Sequence, residues 1–417
     1  MNIKVFLKKT PRGQLAKNTM LSLFWQGIRI LLLTLWAIGL ARHLGAEGFG
    51  LYSGIAGIAV ALGSFSGLGL GLTMYRDVVI TPQLFSARWS EALWMTLISG
   101  FIFALLFTVL CAFIFSKTSI YTLLAIGLSE LIFYPLMTTS ALAFASTFRI
   151  GWSSAMPSLM ALFRCLAISI FFAVSNNKTI DEYVWYHLAA TSISSLLIVL
   201  LINKILTPEL YPFRINYSNI RRGFDFCFSW AGSNAIASLD KSIVLKLGGN
   251  EMAGLYSSSF RLATIFMQPI DALVNAALPK LILNNANNVT KNPILMYVLV
   301  TLLAYSVIAG IALFTLPKIF IWALGPSFAS AENIIRWFSL LIPCYAMRML
   351  GTYILLSSNN FREKLIAEMG GICILITLGA ALIPTLGLEG AAIMAIMTEL
   401  SIALICWIAI FKKTRIR

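Results

Sequence analysis

The sequence predicts an all-α integral membrane protein with twelve transmembrane helices in two six-helix bundles. Composition, recurring apolar runs and a repeated motif predict this fold. The 417 residues are 59% hydrophobic and only 11% charged, with a mean hydropathy of +0.86, whereas soluble domains carry about 25% charged residues. Apolar runs of about 20 residues, the length of a membrane-spanning helix, recur along the chain, and they lack the period-two alternation of membrane β-barrels.

Twelve spans fit these runs, and short connections join them. They cover 19–41, 50–74, 89–115, 119–145, 151–174, 183–203, 223–247, 252–279, 294–316, 331–356, 364–383 and 389–411. We interpret the first as a retained span, because its apolar run is too long for a signal core and contains Arg29.

Basic residues predict the orientation of these spans. The N-terminus, the C-terminal tail and every second connection carry most of them, including Arg76, Arg149 and Lys204, whereas the opposite connections carry few, such as Lys178. The positive-inside rule therefore places both termini in the cytoplasm. Much of the net charge of +15 serves orientation, and no nucleic-acid partner is needed to explain it.

A junction motif occurs twice. LGAEGFGLYS (Leu44–Ser53) joins the first two spans, and LGGNEMAGLYS (Leu247–Ser257) joins the seventh and eighth; the two align with one residue inserted in the second after the position of Glu47. IPTLGLEGAAI joins the last two spans on the same side. The repeat predicts an N-terminal six-helix bundle (1–203), a cytoplasmic linker (204–222) and a C-terminal six-helix bundle (223–417), which is a transporter architecture.

The sequence lacks the motifs of several enzyme and cofactor classes. The six cysteines lie in apolar runs without C-x-x-C spacing, the chain has two histidines, and no phosphate-binding G-x-x-x-x-G-K-[ST] motif occurs. We therefore expect no disulfide framework, no metal site, no cofactor and no ATP hydrolysis. Since no cluster of a nucleophile and a base stands out, we expect the chain not to be an enzyme.

Ionisable residues inside the spans are the candidate functional residues, because they are costly in a bilayer and usually face protein or water. They are Arg29, Glu130, Arg164, His187, Asp240, Lys241, Arg261, Asp271, Arg348 and Glu399. On the eighth span Arg261, Gln268 and Asp271 belong to one polar stripe at helical spacing, and Asn234 lies on a similar stripe of the seventh. The polar stripes predict a hydrophilic wall.

Structural alternatives exist for most of these residues. Lys241 pairs either with Asp240 or with a neighbouring helix, and Asp240 can neutralise Arg261. Arg29 and Arg164 have no acid within one turn of their own helices, which favours a cavity role, whereas Arg348 is close enough to the cytoplasmic end to snorkel.

The buried acids and the aromatic span ends also have alternatives. Glu130 and Glu399 are either lone buried acids or proton-coupling sites. His187 and Tyr183, near a span end, are interpreted as interfacial.

The residue types predict the cargo. Cations without matched acids suit an anionic group, and arginine suits phosphate because its guanidinium binds in a bidentate manner. Polar uncharged stripes suit hydroxyl groups, so the sequence predicts a phosphorylated glycan. The candidate binding residues are Arg29, Arg164, Lys241, Arg261, Gln268, Asn234 and Arg348, and the candidates for ion coupling or charge pairing are Asp240, Asp271, Glu130 and Glu399.

The chain resembles the polysaccharide-transporter branch of the multidrug/oligosaccharidyl-lipid/polysaccharide exporter superfamily, in particular O-antigen lipid-linked oligosaccharide flippases. The resemblance covers essentially the whole chain through KN (Lys17, Asn18), ARHLGAEGFGLYS, GLGLTMYRD, SLDKSIVLKLGGNEMAGLYSSSFRL, PIDALVNAALP and IPTLGLEGAAI. The related lipid II flippases typically have fourteen spans, and this chain has room for twelve.

The resemblance implies two six-helix bundles around a V-shaped central cavity and alternating access. It implies a substrate of undecaprenyl pyrophosphate carrying an oligosaccharide repeat unit, moved across the bacterial inner membrane from the cytoplasmic to the periplasmic leaflet. A polysaccharide polymerase and a chain-length regulator are the implied protein partners. A cation-coupled drug exporter of the same fold, which would favour acids over arginines, and a membrane glycan polymerase or ligase, which would need a large periplasmic loop, are the alternatives.

Overall fold

A computed structural model describes residues 12–209, 211, 217–283, 293–358 and 360–416. This part of the chain is nearly all helical and contains no strand. The helices are α1 (Arg12–Gly63), α2 (Leu70–Ile80), α3 (Phe85–Ile114), α4 (Ile120–Leu128), α5 (Tyr134–Ser146), α6 (Ile150–Val174), α7 (Ile180–Leu206), α8 (Tyr217–Leu283), α9 (Pro293–Thr315), α10 (Pro317–Leu324), α11 (Glu332–Trp337), α12 (Leu341–Ser357) and α13 (Phe361–Ile416). A π-helical turn, Ser129–Phe133, joins α4 to α5.

The three longest helices are each bent at one glycine. Helices α1, α8 and α13 have 52, 67 and 56 residues, so each would be roughly 80–100 Å long if straight, far more than the ~30 Å hydrocarbon core. The bends lie at Gly45, Gly249 and Gly387, all with positive φ. Each long helix therefore has the length for two consecutive spans.

The bends account for the predicted number of spans. Seven helical stretches are long and apolar enough to cross a membrane, or eight if the bent pair Pro326–Trp337 and Leu341–Ser357 forms one span. Two of the seven, Lys17–Gly63 and Phe361–Lys412, contain a bend and hold two spans each. With the two arms of α8, the described helices accommodate all twelve, and the predicted all-α membrane fold is confirmed.

The structure relocates the inserted residue of the repeat. Gly45 and Gly249 each lie five residues before the glycine of GLYS, so GAEGFGLYS and GNEMAGLYS align without a gap. The insertion falls before the bend, not after Glu47 as the sequence alignment has it. All three bends share the pattern Gly-x-Glu, which places an exposed carboxylate in the first turn of the following arm, where the helix dipole favours negative charge.

The chain divides into two compact units. The first comprises Met1–Gly39 and Leu62–Phe228, and the second comprises Leu40–Ala61 and Ser229–Arg417. The segment around the first bend thus groups with the C-terminal part of the chain, and the start of α8 groups with the N-terminal part. The predicted six-helix division at 203 and 223 stays a prediction.

The core of the first unit is apolar and draws on five helices. Met74 of α2, Trp89 of α3, Phe144 of α5, Met156 of α6 and Ile198 of α7 are all buried in one cluster. Burial of such large side chains contributes about 1.5–3 kcal/mol each. This cluster fixes the helices that carry the polar groups described below.

The second unit contains a symmetric contact between the repeated junctions. A Cβ on Gly50 would overlap the carbonyl oxygen of Asn250, and a Cβ on Gly254 would overlap that of Ala46. These four residues are equivalent in pairs under the gapless alignment. Ser242 also donates a hydrogen bond of 2.6 Å to the carbonyl oxygen of Gly54. Glycine therefore allows the two helix backbones to touch, as at small-residue interfaces in membranes.

Candidate functional sites in the two units

The first unit holds a buried ionic cluster centred on Glu130. The guanidinium of Arg164 donates a hydrogen bond of 2.7 Å to Glu130 Oε1, and His187 Nε2 lies 3.0 Å from the same oxygen. Glu130 is 3% exposed and His187 is fully buried. The cluster therefore joins the fourth, fifth and sixth spans deep inside the unit.

The π-helical turn explains why Glu130 lies there. Pro135 follows the turn and has no N–H to donate to the carbonyl of Leu131, so the regular α-helical hydrogen bond between them cannot form. Single π turns inside helices often occur at functional sites. The wider turn carries Glu130 and Ser129, whose hydroxyl lies 2.8 Å from that of Thr191.

A chain of hydrogen bonds leads away from Glu130. Trp36 Nε1 donates to the hydroxyl of Tyr183 at 2.7 Å, and that hydroxyl lies 3.3 Å from His187 Nδ1. If His187 is neutral with its proton on Nε2, each hydrogen bond in this chain has one donor and one acceptor. Tyr183 then donates to Nδ1, and Nε2 donates to Glu130. The arrangement links an indole, a phenol, an imidazole and a carboxylate in one direction.

This cluster corrects three sequence interpretations. His187 and Tyr183 are buried rather than interfacial. Glu130 is not a lone acid, and Arg164 has an acid partner. The pair was not predicted because Glu130 lies on a neighbouring helix, 34 residues away, and residue spacing along the helix of Arg164 does not reveal contacts with other helices.

The second unit holds a comparable cluster around Arg348. Arg348 Nε donates to Glu399 Oε2, and the guanidinium carbon lies 5.0 Å from the centroid of the Tyr345 ring. The hydroxyl of Tyr345 donates to Asp271 Oδ1 at 2.7 Å. Arg348 is 5% exposed, so it is buried and paired rather than snorkelling, and Glu399 is not a lone acid.

Asp240 forms the hub of a third group. Its Oδ1 lies 3.0 Å from Lys241 Nζ, and its Oδ2 accepts a hydrogen bond of 2.8 Å from Tyr256. Lys241 also lies over the ring of Phe260, 4.2 Å from its centroid. The structure shows Lys241 paired with Asp240 rather than with a neighbouring helix.

Glu368 was missed by the sequence analysis. It is fully buried on α13, where it pairs with Lys364 at 3.0 Å and accepts a hydrogen bond from Ser233. The signal was present, since Lys364 and Glu368 are one helical turn apart in the eleventh span.

The remaining predicted residues lie at partly exposed positions. Arg29, Asn234, Arg261 and Gln268 are neither fully buried nor fully exposed. The Arg261 guanidinium carbon lies 5.8 Å from the centroid of the Phe49 ring. Within the described part of the chain Arg29 forms no ion pair. Lys241 and Asp271 are also partly accessible, but their side chains are hydrogen-bonded to Asp240 and Tyr345.

The polar stripe of the eighth span is used in part for helix packing. Asp271 accepts from Tyr345, and Asn275 accepts a hydrogen bond of 2.9 Å from Tyr353. Both tyrosines lie on α12, so the C-terminal end of the stripe faces another helix of the same unit. Arg261, Gln268 and Asp271 are partly accessible, and Asn275 is exposed.

The residue types in these clusters limit the metal binding and catalysis that they could support. The described residues contain no group of three or more histidines, cysteines, aspartates and glutamates suited to hold a metal ion. The clusters are charge pairs extended by tyrosine hydroxyls, an arrangement that can hold buried charge or move protons. They offer no activated nucleophile.

Solved structures with the same fold are known. A multidrug resistance MATE family transporter of the MOP superfamily, in an inward-facing conformation, has a TM-score of 0.72 at 13% identity, over 94% of this chain and 95% of that chain. The lipid II flippase MurJ, in an inward closed conformation, has a TM-score of 0.70 at 13% identity, over 95% of this chain and 89% of that chain.

A third structure is a MOP superfamily transporter from Pyrococcus furiosus Vc1, for which a reverse polarity of the binding pocket suggests a different function. Its TM-score is 0.63 at 13% identity, over 96% of this chain and 95% of that chain. At such identities the likeness establishes the fold. The fold is shared with transporters and a flippase.

The sequence comparisons establish the family. No curated protein matches the chain. The family model described as polysaccharide biosynthesis protein matches residues 15–283, which is well over half of the chain and includes both repeated junctions. The chain is a multi-pass membrane protein that belongs to the polysaccharide biosynthesis protein family.

Proposed function

We propose that the protein is a flippase for lipid-linked glycans. Its substrate would be undecaprenyl pyrophosphate carrying one repeat unit of O-antigen or another surface polysaccharide. The protein would move it by alternating access from the cytoplasmic to the periplasmic leaflet of the bacterial inner membrane. The observation that carries the proposal is the match to the polysaccharide biosynthesis family in a chain with the fold of membrane transporters.

The physical need for such a protein follows from solvation. Each hydroxyl placed in hydrocarbon without a hydrogen bond costs several kcal/mol, and an unpaired charged group costs far more. A pyrophosphate with an oligosaccharide therefore does not cross a bilayer spontaneously at a useful rate. Polar and cationic side chains inside the spans would replace its lost hydration.

Ion pairing and exposure guide our choice among the predicted binding residues. Arg164, Lys241 and Arg348 have acid partners, so a pyrophosphate would first have to displace a carboxylate. Arg29 and Arg261 are partly accessible, and we assign the anionic head group to them at successive stages of transport. Asn234 and Gln268 would contact the sugar hydroxyls.

The same proposal predicts the biological setting. Both termini would lie in the cytoplasm, and the transported unit would pass to a polysaccharide polymerase and a chain-length regulator in the periplasm. These partners would act on the product and need no stable contact with the flippase.

Depletion of the protein in its own cell tests this function. We expect the undecaprenyl-linked repeat unit to accumulate and surface polysaccharide to be lost. Plasmid-borne Arg29→Ala and Arg261→Ala variants should restore surface polysaccharide poorly, whereas Arg76→Ala, which replaces an exposed arginine of helix α2, should restore it fully.

Membrane levels of each variant, measured by immunoblot, separate loss of transport from loss of protein. Full restoration by both Arg29→Ala and Arg261→Ala would refute the assignment of these residues. Normal surface polysaccharide after depletion, together with sensitivity to cationic drugs, would instead favour a drug exporter.

A further inference from the structure

A large groove lies on the first unit, separate from the ionic clusters. Its volume is about 1020 Å³. Its apolar walls come from the first arm of α1, the start of α6 and the end of α7, with Trp25, Ile28, Leu32, Leu159 and Leu201 among the lining residues. An apolar surface of this size is suited to hydrocarbon.

Hydrogen bonds between α1 and α6 hold the walls at a fixed separation. Ser154 Oγ donates to Ser22 Oγ at 3.1 Å, and Ser158 Oγ donates to the carbonyl oxygen of Trp25 at 2.8 Å. Deeper along the same pair of helices, Cys165 Sγ donates to the carbonyl oxygen of Leu32 at 2.9 Å. The groove is therefore a preformed feature of this unit.

One end of the groove is cationic. Lys17 and Arg149 line it there together with Asn18, and both cations are exposed and without an ion-pair partner among the described residues. Phe148, which precedes Arg149, has a φ of 59°, a strained conformation for a bulky residue. The KN motif (Lys17, Asn18) thus lies beside a strained turn that carries Arg149.

The length of the groove matches one lipid in one leaflet. Lys17 and Leu32 are fifteen residues apart on α1, or roughly 22 Å along the helix. A leaflet with its head groups is about 20–22 Å thick. A phospholipid fits these dimensions, whereas a long polyprenyl chain exceeds them.

We propose that this groove is a binding site for an anionic phospholipid of the leaflet next to the N-terminus. Its phosphate would lie between Lys17 and Arg149, with Asn18 as a further hydrogen-bond donor, and an acyl chain would follow Trp25, Ile28 and Leu32. Basic pockets between transmembrane helices are known to select acidic head groups. The site is distinct from the proposed transport function and does not depend on it.

Native mass spectrometry of the full-length protein with added phosphatidylglycerol or phosphatidylcholine tests the proposal. The wild type should retain phosphatidylglycerol preferentially. Each basic residue near the surface contributes about 1 kcal/mol to holding an acidic lipid, so Lys17→Gln/Arg149→Gln should bind it roughly 25-fold more weakly. The matched control Arg76→Gln/Lys204→Gln removes two exposed cations outside the groove and should bind it like the wild type.

A second variant tests the apolar part. Ala155→Phe adds bulk inside the groove and should reduce retention of both lipids without changing charge, with its melting temperature confirming that the protein is folded. Equal binding of phosphatidylglycerol by wild type and Lys17→Gln/Arg149→Gln would overturn the proposal. Stronger competition by undecaprenyl phosphate than by phosphatidylglycerol would also overturn it, in favour of a substrate site.

Discussion

Two of the buried ion pairs in this protein join residues on different helices. Glu130 with Arg164 and Arg348 with Glu399 are pairs with little exposure on either side. The pairs themselves add little net stability, because desolvation offsets the Coulomb attraction. Removal of one partner, however, leaves an uncompensated charge in a buried position.

Glu130→Gln should therefore destabilise the protein by about 3–5 kcal/mol, measured as the unfolding free energy in detergent. Arg164 then loses its carboxylate partner while it remains only 8% exposed. The double variant Glu130→Gln/Arg164→Gln should recover part of the loss, since both charges are gone.

Glu209→Gln serves as the control, because Glu209 is an exposed acid of the same unit and should change stability by less than about 0.5 kcal/mol. If Glu130→Gln matched this control, the ion pair would not determine the energetics of the cluster. A double variant as unstable as the sum of its single variants would contradict the pairing itself.

At this scale the sequence showed which ionisable residues lie inside the predicted spans, but not which residues they contact. Ionisable side chains stand out in apolar runs, so ten were identified as candidates. Their partners are 34 and 51 residues away along the chain for Arg164 and Arg348, and helical spacing within one span carries no information about contacts between spans. Glu368 was overlooked although Lys364, one turn earlier, indicated a pair.

A bend at a glycine divides each of the helices α1 and α8 into two arms. At Gly45 φ is 66° and ψ is −175°, and at Gly249 φ is 84° and ψ is 179°. This region of backbone space is essentially restricted to glycine and differs from the left-handed helical region that asparagine tolerates. A Cβ at either glycine would meet no atom within 4 Å, so the requirement comes from the backbone alone.

Gly45→Ala and Gly45→Asn should each destabilise the protein by about 1–3 kcal/mol in chemical denaturation, with no rescue by asparagine. Gly27→Ala is the matched control on the same helix, because Gly27 also has open space around it and no positive φ. That control should be neutral or slightly stabilising. Rescue by Gly45→Asn would show that the bend tolerates a left-handed helical residue.

Close packing of the repeated junctions makes a second prediction. Gly50→Ala and Gly254→Ala should each cost about 1–3 kcal/mol, because their methyl groups would overlap backbone carbonyl oxygens that cannot rotate away. Thermal unfolding in detergent, again with Gly27→Ala as control, measures this. Wild-type stability of both variants would mean that the two backbones do not touch.

The repeat was predictable from the sequence because the backbone conformation and the close helix contact require glycine. Such a requirement places glycine at the same positions in both copies of the motif. The Gly-x-Glu pattern at all three bends became visible only with the structure, since the sequence alignment had placed the insertion after Glu47. The π-helical turn at Ser129–Phe133 was not predicted, because a single proline after an apolar run is common in membrane helices.

For the molecule as a whole, composition and apolar periodicity were sufficient to predict the fold class. The orientation remains a prediction, and labelling with a membrane-impermeant maleimide tests it in a cysteine-free background. Lys178→Cys should react in intact spheroplasts, whereas Lys204→Cys should react only after permeabilisation; both lysines are exposed. The reverse pattern would place the termini outside and contradict the positive-inside assignment.

The central claim is that this chain moves a lipid-linked glycan across a bilayer. Reconstitution into sealed vesicles, with a labelled undecaprenyl-pyrophosphate-linked repeat unit in one leaflet and a membrane-impermeant glycosidase as the probe, tests it most directly. We predict that protein-containing vesicles expose the label to the enzyme far faster than empty ones, and that Arg29→Ala and Arg261→Ala slow this exposure. Equal rates in empty and protein-containing vesicles would contradict the account.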